Sequence, residues 1–122
     1  MAAGFLDGAH QALQARAKAA FAGLDAAAEG LDDAALAAQV AALGYYPHLV
    51  PAAFGGAAPK VSVLALCVLR EELAYRSAAA DSVYAVQGLG SHPVLLAGSP
   101  PGCARSWRSS CSTRIPRCPT WR

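Results

Sequence analysis

The sequence predicts an all-α fold, a small helical bundle over residues 1–98 with a disordered C-terminal tail over residues 99–122. Three observations lead to this prediction. Alanine, glycine and leucine dominate the first 98 residues, and alanine has the highest intrinsic helix propensity. Strand-like alternation of apolar and polar residues is almost absent. The chain of 122 residues is also long enough to bury one hydrophobic core.

The first helix is predicted from about Leu6 to Leu24. Apolar residues recur there at the spacing of one helical face, while polar residues occupy another face. The predicted buried positions are Leu6, Leu13, Ala17, Ala20 and Leu24.

A second helix is predicted to follow the turn at Gly30. Asp32 is a residue type that caps helix N-termini, and Gly44 is a natural C-terminal stop. The apolar stripe between them predicts three buried residues, namely Leu36, Val40 and Leu43.

The stretch "YYPHLVPAAFGGAAPK" reads as a loop, because its prolines and glycines would break a helix or a central strand. A third helix is predicted from about Ser62 to Tyr75. Its first half is apolar on every side, which predicts burial all round and makes Cys67 a buried small hydrophobe. Its second half, "REELAYR", is charged and is expected to emerge into solvent.

A fourth helix is predicted to run through about Leu89, with Asp81 or Ser77 as its cap. Gly88, Gly90 and Pro93 are expected to interrupt it before a short apolar "VLLAG".

Motifs of a self-contained active site are not apparent. His10, His48 and His92 lie on separate predicted elements, so the sequence predicts no metal site. "FGGAAPK" lacks the ending of a phosphate-binding loop, "GLGSHP" misses the last glycine of a dinucleotide fingerprint, and no G-x-S-x-G occurs. Glu71 and Glu72 are adjacent and point about 100° apart on a helix, so they do not form a facing acid pair.

Charge and hydropathy bear on partners and location. Residues 1–98 carry five basic against eight acidic residues, a net charge of −3, so the basic balance of the chain belongs to its tail. No nucleic-acid partner is expected. The longest strongly apolar run, residues 63–69, is far below the roughly 18 residues that span a bilayer, and no secretory signal is apparent. A cytoplasmic protein with no membrane partner is therefore expected.

The segment "EELAYRSAAADSVYAVQGLGSHPVLLAG", residues 71–98, resembles the N-terminal helical domain of the acyl-CoA dehydrogenases. "EELAY", "LGSHP" and "LLAG" lie at the spacings of that family, and "LVPAAFGG" resembles its entry loop before the buried helix. The resemblance covers about residues 5–98, and "VPxxxGG" together with "EELA" is its most specific part.

The resemblance implies an N-terminal domain of an FAD-dependent oxidoreductase that acts on acyl-CoA or acyl-carrier thioesters. In such enzymes a carboxylate takes the α-proton and the flavin accepts the β-hydride. Both come chiefly from later domains, so this chain is expected to be inactive alone and to bind FAD weakly or not at all. The N-terminal domain helps to wall the acyl pocket.

Carried over by position, the resemblance implies a substrate-facing set in the fourth helix. It comprises Asp81, Ser82, Ala85 and Leu89. An unpaired carboxylate is costly beside an apolar tail. Asp81 is therefore either a helix cap, which we favour, or a sign that the substrate is not a simple fatty acyl group.

The tail differs in character from the body. Residues 99–122 hold three cysteines, both tryptophans, five basic residues and no acid. Read one register away, cysteine, tryptophan and most serine codons become codons of apolar residues, which makes an out-of-frame terminus the best interpretation. Cys103, Cys111 and Cys118 lack the C-x-x-C spacing of a metal site, and a disulfide module or a nucleic-acid arm explains less.

A second class of function stays open. The chain could be a stand-alone helical interaction module without catalytic activity, docking a partner through its third and fourth helices. Either a module or a severed domain would expose apolar surface, so self-association is expected in both cases.

Overall fold

The computed structural model describes residues 4–24 and 30–98, which contain α-helices and short 3₁₀-helices. No strand occurs in these ranges, where Pro51 and Ala58 form an isolated parallel bridge. The all-α prediction is confirmed, and the predicted disordered tail lies outside the described residues. The α-helices are α1 (Gly8–Ala20), α2 (Asp33–Ala42), α3 (Val63–Arg76) and α4 (Ala78–Ala97), and the 3₁₀-helices are Tyr46–Leu49 and Ala52–Phe54.

Side-chain caps begin all four described α-helices, because each cap oxygen accepts a backbone N–H that has no partner within its helix. The cap residues are Asp7, Asp32, Ser62 and Ser77. Asp32 Oδ1 accepts from the amide of Ala35 at 2.7 Å, which confirms the predicted cap of α2. The predicted stop at Gly44 is confirmed as well, since this glycine has a φ of +80° directly after the C-cap.

The cap of α4 is Ser77 and not Asp81. Ser77 has an extended backbone, and its Oγ accepts from the amide of Ala80 at 3.2 Å. Asp81 lies inside the first turn of α4, where its carboxylate faces Arg70 of α3. The favoured interpretation of Asp81 as a cap is therefore wrong, because a serine four residues earlier already satisfies the helix terminus.

Packing of α1 and α4 on α3, and of α2 on α4, builds one core. Phe21, Leu69, Leu73 and Tyr84 are among its largest fully buried side chains. The Tyr84 hydroxyl donates to the carbonyl of Tyr45 at 3.0 Å, which satisfies a polar atom that would otherwise be costly to bury. Burial raises the pKa of Tyr84 above its usual range.

The predicted face of α1 is correct at four of its five positions. Leu6, Leu13, Ala17 and Leu24 are buried, whereas Ala20 is exposed. The adjacent Phe21 is fully buried instead. The helix ends at Ala20, and the turn that follows directs the ring of Phe21 into the core.

The prediction of all-round burial for the first half of α3 is wrong. Val68 and Leu69 are buried, but Val63 is 73% exposed and Cys67 is exposed as well. The reason is that one side of α3 faces an open groove and carries no covering element among the described residues.

The second half of α3 is less exposed than its charge predicts. Glu72 and Leu73 are buried. The carboxylate of Glu72 accepts a hydrogen bond from Nε2 of Gln14 on α1 at 3.0 Å. An amide donor from the neighbouring helix thus compensates part of the cost of burying this acid.

The predicted end of the fourth helix at Leu89 is also wrong, since α4 continues to Ala97. Pro93 lies inside the helix and cannot donate a backbone hydrogen bond to the carbonyl of Leu89. Gly88 is compatible with helix and permits close packing, because a Cβ there would lie 3.1 Å from Cδ2 of Leu49. Within residues 4–24 and 30–98, no helix combines the length and apolar character that a membrane crossing requires.

The segment before α3 is closed by backbone hydrogen bonds. The amide of Ala52 donates to the carbonyl of Ala58 at 2.7 Å, and the amide of Gly56 donates to the carbonyl of Pro51 at 3.0 Å. A Cβ on Gly56 would overlap the carbonyl group of Val50. The segment therefore requires glycine at this position.

Substitution of Gly56 by alanine is expected to destabilise the protein strongly. The new methyl group would meet backbone and not a movable side chain, so we expect a loss of about 3 kcal/mol in the free energy of unfolding. Urea denaturation followed by circular dichroism measures this loss. Gly23→Ala is the matched control, because nothing lies within 4 Å of a Cβ there, and its effect should stay within about 1 kcal/mol. Equal stability of the two variants would contradict the prediction.

Candidate functional site

An apolar groove of about 280 Å³ lies between α3 and α4. Its lining comes from both helices and from the first 3₁₀-helix. The lining residues are Leu49, Val63, Leu66, Cys67, Arg70, Tyr84, Ala85, Gly88 and Leu89. We refer to this feature as the α3–α4 groove.

Helical spacing explains how these side chains meet. On α3, Val63, Cys67 and Arg70 follow one another at intervals of four and three residues and so share one face. On α4, Ala85 and Leu89 are four residues apart. The small side chain of Ala85 and the missing side chain of Gly88 leave the space between the helices open.

The two walls are joined at their polar end by an ion pair. The guanidinium of Arg70 donates from Nε and Nη2 to the two carboxylate oxygens of Asp81, each at 2.8 Å. This bidentate geometry is the favourable one for arginine and carboxylate. The hydrogen bonds to Asp81 raise the pKa of Arg70.

The structure brings two of the four predicted substrate-facing residues into the groove. Ala85 and Leu89 line it, and Leu89 is 74% exposed. Asp81 does not line the groove. It forms an ion pair with Arg70, which is a lining residue. Ser82 is exposed outside the groove, and its hydroxyl donates to the carbonyl of Ala78 at 2.9 Å.

The contribution of α3 was missed by the sequence analysis. A helix half that is apolar on every side predicts burial, whereas Val63 and Cys67 form one wall of the groove. The i, i+4 repeat of these residues with Arg70 on the same face was the available signal. A charged residue at the end of an apolar stripe indicates that the stripe reaches solvent.

The histidines do not form a site together. His10 contacts Oδ1 of Asp7 through Nδ1 at 2.7 Å, His48 stacks on Tyr45, and His92 is exposed on α4. Across residues 4–24 and 30–98, no group of three or more histidine, cysteine, aspartate or glutamate side chains could hold a metal ion.

The chemistry of the groove is that of apolar binding. Of its polar groups, the Tyr84 hydroxyl is already bonded to a backbone carbonyl and Arg70 is paired. Cys67 is the remaining polar group of the lining. The arrangement can therefore cover an apolar chain and exclude water from it, with charge confined to one end.

Comparison with protein families identifies a matching family model. The family model described as "Acyl-CoA dehydrogenase, N-terminal domain" matches residues 3–106, which is most of the chain. The match includes residues 99–106 of the predicted tail. No curated protein matches the chain.

A double-mutant cycle on Arg70 and Asp81 tests the ion pair. Arg70→Gln and Asp81→Asn are each expected to lower the free energy of unfolding. The coupling energy should be about 1 kcal/mol, because the pair is bidentate and the carboxylate is partly buried while the guanidinium is solvated. Urea denaturation of the four proteins gives this value. Lys18→Gln serves as the control, since it removes an exposed charge far from the pair in sequence. Strictly additive effects of the two substitutions would contradict the prediction.

Proposed function

This chain belongs to the family of acyl-CoA dehydrogenase N-terminal domains, and from that premise we propose that its α3–α4 groove helps to line the acyl pocket of an FAD-dependent oxidoreductase. The substrate would be an acyl thioester of coenzyme A or of an acyl carrier. The observation that carries the proposal is an open, almost wholly apolar groove between α3, which bears the "EELA" motif, and α4.

The lining suits an acyl tail. Leu66, Leu89 and Val63 offer apolar surface, and each methylene that leaves water contributes about 0.8 kcal/mol to binding. Ala85 and Gly88 keep the groove open on the α4 side. The residues of this chain would thus orient the tail and keep water away from it.

Asp81 does not require a polar substrate. Its carboxylate is paired with Arg70, so no uncompensated charge points at the tail. A plain fatty acyl group is therefore compatible with this end of the groove. In this proposal the pair marks the edge of the apolar surface and braces α3 against α4.

FAD does not fit the residues that surround the groove. A dinucleotide needs donors for its pyrophosphate, whereas the guanidinium of Arg70 is committed to Asp81 and the rest of the lining is apolar. We assign the flavin and the catalytic carboxylate to other domains of such an enzyme. This chain alone would contribute substrate binding and no chemical step.

A second candidate function rests on apolar surface outside the groove. Val86 and Leu96 on α4 are 62% and 76% exposed. This surface suits a stand-alone helical interaction module that docks a protein partner or a second copy of the chain. In the intact enzyme of the first proposal, neighbouring domains would cover the same surface.

An acyl thioester titration distinguishes the two functions. We expect octanoyl N-acetylcysteamine thioester to shift NMR resonances of Leu66, Cys67 and Ala85. Leu89→Asp should weaken this binding about 10-fold, because a charge replaces apolar contact with the tail. Leu96→Asp makes the same change on the same helix outside the groove and should leave the affinity unchanged.

Two results would count against the acyl-pocket proposal. The first is a titration that leaves the groove resonances unmoved in the folded chain. The second is equal sensitivity to Leu89→Asp and Leu96→Asp.

The flavin assignment has its own test. The purified chain is expected to carry no stoichiometric flavin and to bind added FAD weakly or not at all, because its groove offers no free donor set for the pyrophosphate. Flavin absorbance of the purified protein and fluorescence quenching of added FAD measure this. Copurification of one flavin per chain would overturn the assignment.

A further inference from the structure

A second cavity, of about 190 Å³, shares no lining residue with the α3–α4 groove. It is formed by α1, the first 3₁₀-helix, the segment before α3 and the start of α3. Its lining residues are Ala9, His10, Leu13, Arg16, His48, Val50, Ala58, Lys60, Ser62 and Ala65.

The ionisable side chains of this cavity are all basic. They are His10 and Arg16 from α1, His48 from the 3₁₀-helix and Lys60 from the segment before α3. His10 is held by Asp7, the one carboxylate that bonds to any of them within residues 4–24 and 30–98. Arg16 and Lys60 form no ion pair with any described residue.

The basic surroundings of the cavity affect the pKa of His48. Burial, and then the charge of Arg16, lower the pKa of His48. Burial and the neighbouring cation therefore both favour the neutral form of the His48 imidazole. The aromatic ring of Tyr45 covers one face of its imidazole at a centroid distance of 6.0 Å. Arg16 and Lys60 carry the positive charge that no carboxylate of the described residues pairs with.

The remainder of the lining is apolar. Leu13, Val50 and Ala65 are buried and form a floor beneath the basic side chains. A site that combines an apolar floor with two cations lacking an ion-pair partner in residues 4–24 and 30–98 matches a ligand with one anionic end and a short apolar body. Inorganic phosphate would satisfy the charges but leave the floor without contact.

We propose that this cavity binds a small organic carboxylate, with its anionic group at Arg16 and Lys60 and its apolar body against Leu13, Val50 and Ala65. Arginine supplies a planar pair of donors that matches a carboxylate, and lysine adds a point charge. The neutral imidazole of His48 is available as a further hydrogen-bonding group. This function is independent of the acyl-pocket proposal, because the two sites have separate linings.

The test uses the full chain and butyrate as the probe, with NMR detection at constant ionic strength. Butyrate is expected to shift resonances of residues 9–16 and 48–62 and to leave Cys67 and Leu89 unmoved. Butyramide, its neutral analogue, should bind at least about 10-fold more weakly, since it lacks the charge. Inorganic phosphate should also bind more weakly than butyrate.

Two variants and a matched control test which cations bind the carboxylate of butyrate. Arg16→Gln and Lys60→Gln are each expected to weaken butyrate binding about 10-fold. Lys18→Gln removes the same charge from α1 outside the cavity and should leave the affinity unchanged. If one of the first two variants does not fold, the other carries the test.

The pKa of His48 provides a further measurement, which would not change with butyrate if Arg16 and Lys60 had only a structural role. A carboxylate at Arg16 favours the charged imidazolium, so bound butyrate should raise the pKa of His48, and Arg16→Gln should raise it without butyrate. Equal binding of butyramide and butyrate, stronger binding of phosphate, equal losses in Lys18→Gln, or a pKa of His48 unmoved by butyrate would each overturn the proposal.

Discussion

The one-residue corner at Ser77 is the constraint on which both walls of the groove depend. Its amide donates to the carbonyl of Leu73 at 2.8 Å and closes α3, while its hydroxyl accepts from the amide of Ala80 and opens α4. A single buried residue thus ends one helix and begins the next. Because the chain turns so tightly, α4 lies back along α3, and the ion pair of Arg70 with Asp81 fixes the two helices a second time.

Much of the fold could be predicted because its signals are local. A cap such as Asp32 and a stop such as Gly44 act through hydrogen bonds and backbone dihedrals within a few residues, so sequence alone identifies them. The features in which the structure differs from the sequence-based prediction depend on contacts between residues distant in sequence. α4 continues through Gly88, where Leu49 packs closely, and Cys67 is exposed because no described element covers that side of α3. Neither feature can be predicted from the local sequence of α3 or α4 alone.

The candidate site shows the same division. Family resemblance pointed to α4, including Ala85 and Leu89, which line the groove and whose i, i+4 relation is a property of one helix. It could not find Val63 or Cys67, because their part in the groove arises from the pairing of two helices. Asp81 was misinterpreted for the same reason, since its partner Arg70 lies eleven residues earlier on another element.

The short connection between α3 and α4 also bears on the order of folding. Contacts between these helices join residues close in sequence, such as Arg70 and Asp81, and closing small loops costs little chain entropy. Docking of α1 requires contacts over far greater separations, such as that of Gln14 with Glu72. We therefore expect the helical hairpin that carries the groove to assemble early, with its apolar surface formed before the rest of the bundle is complete.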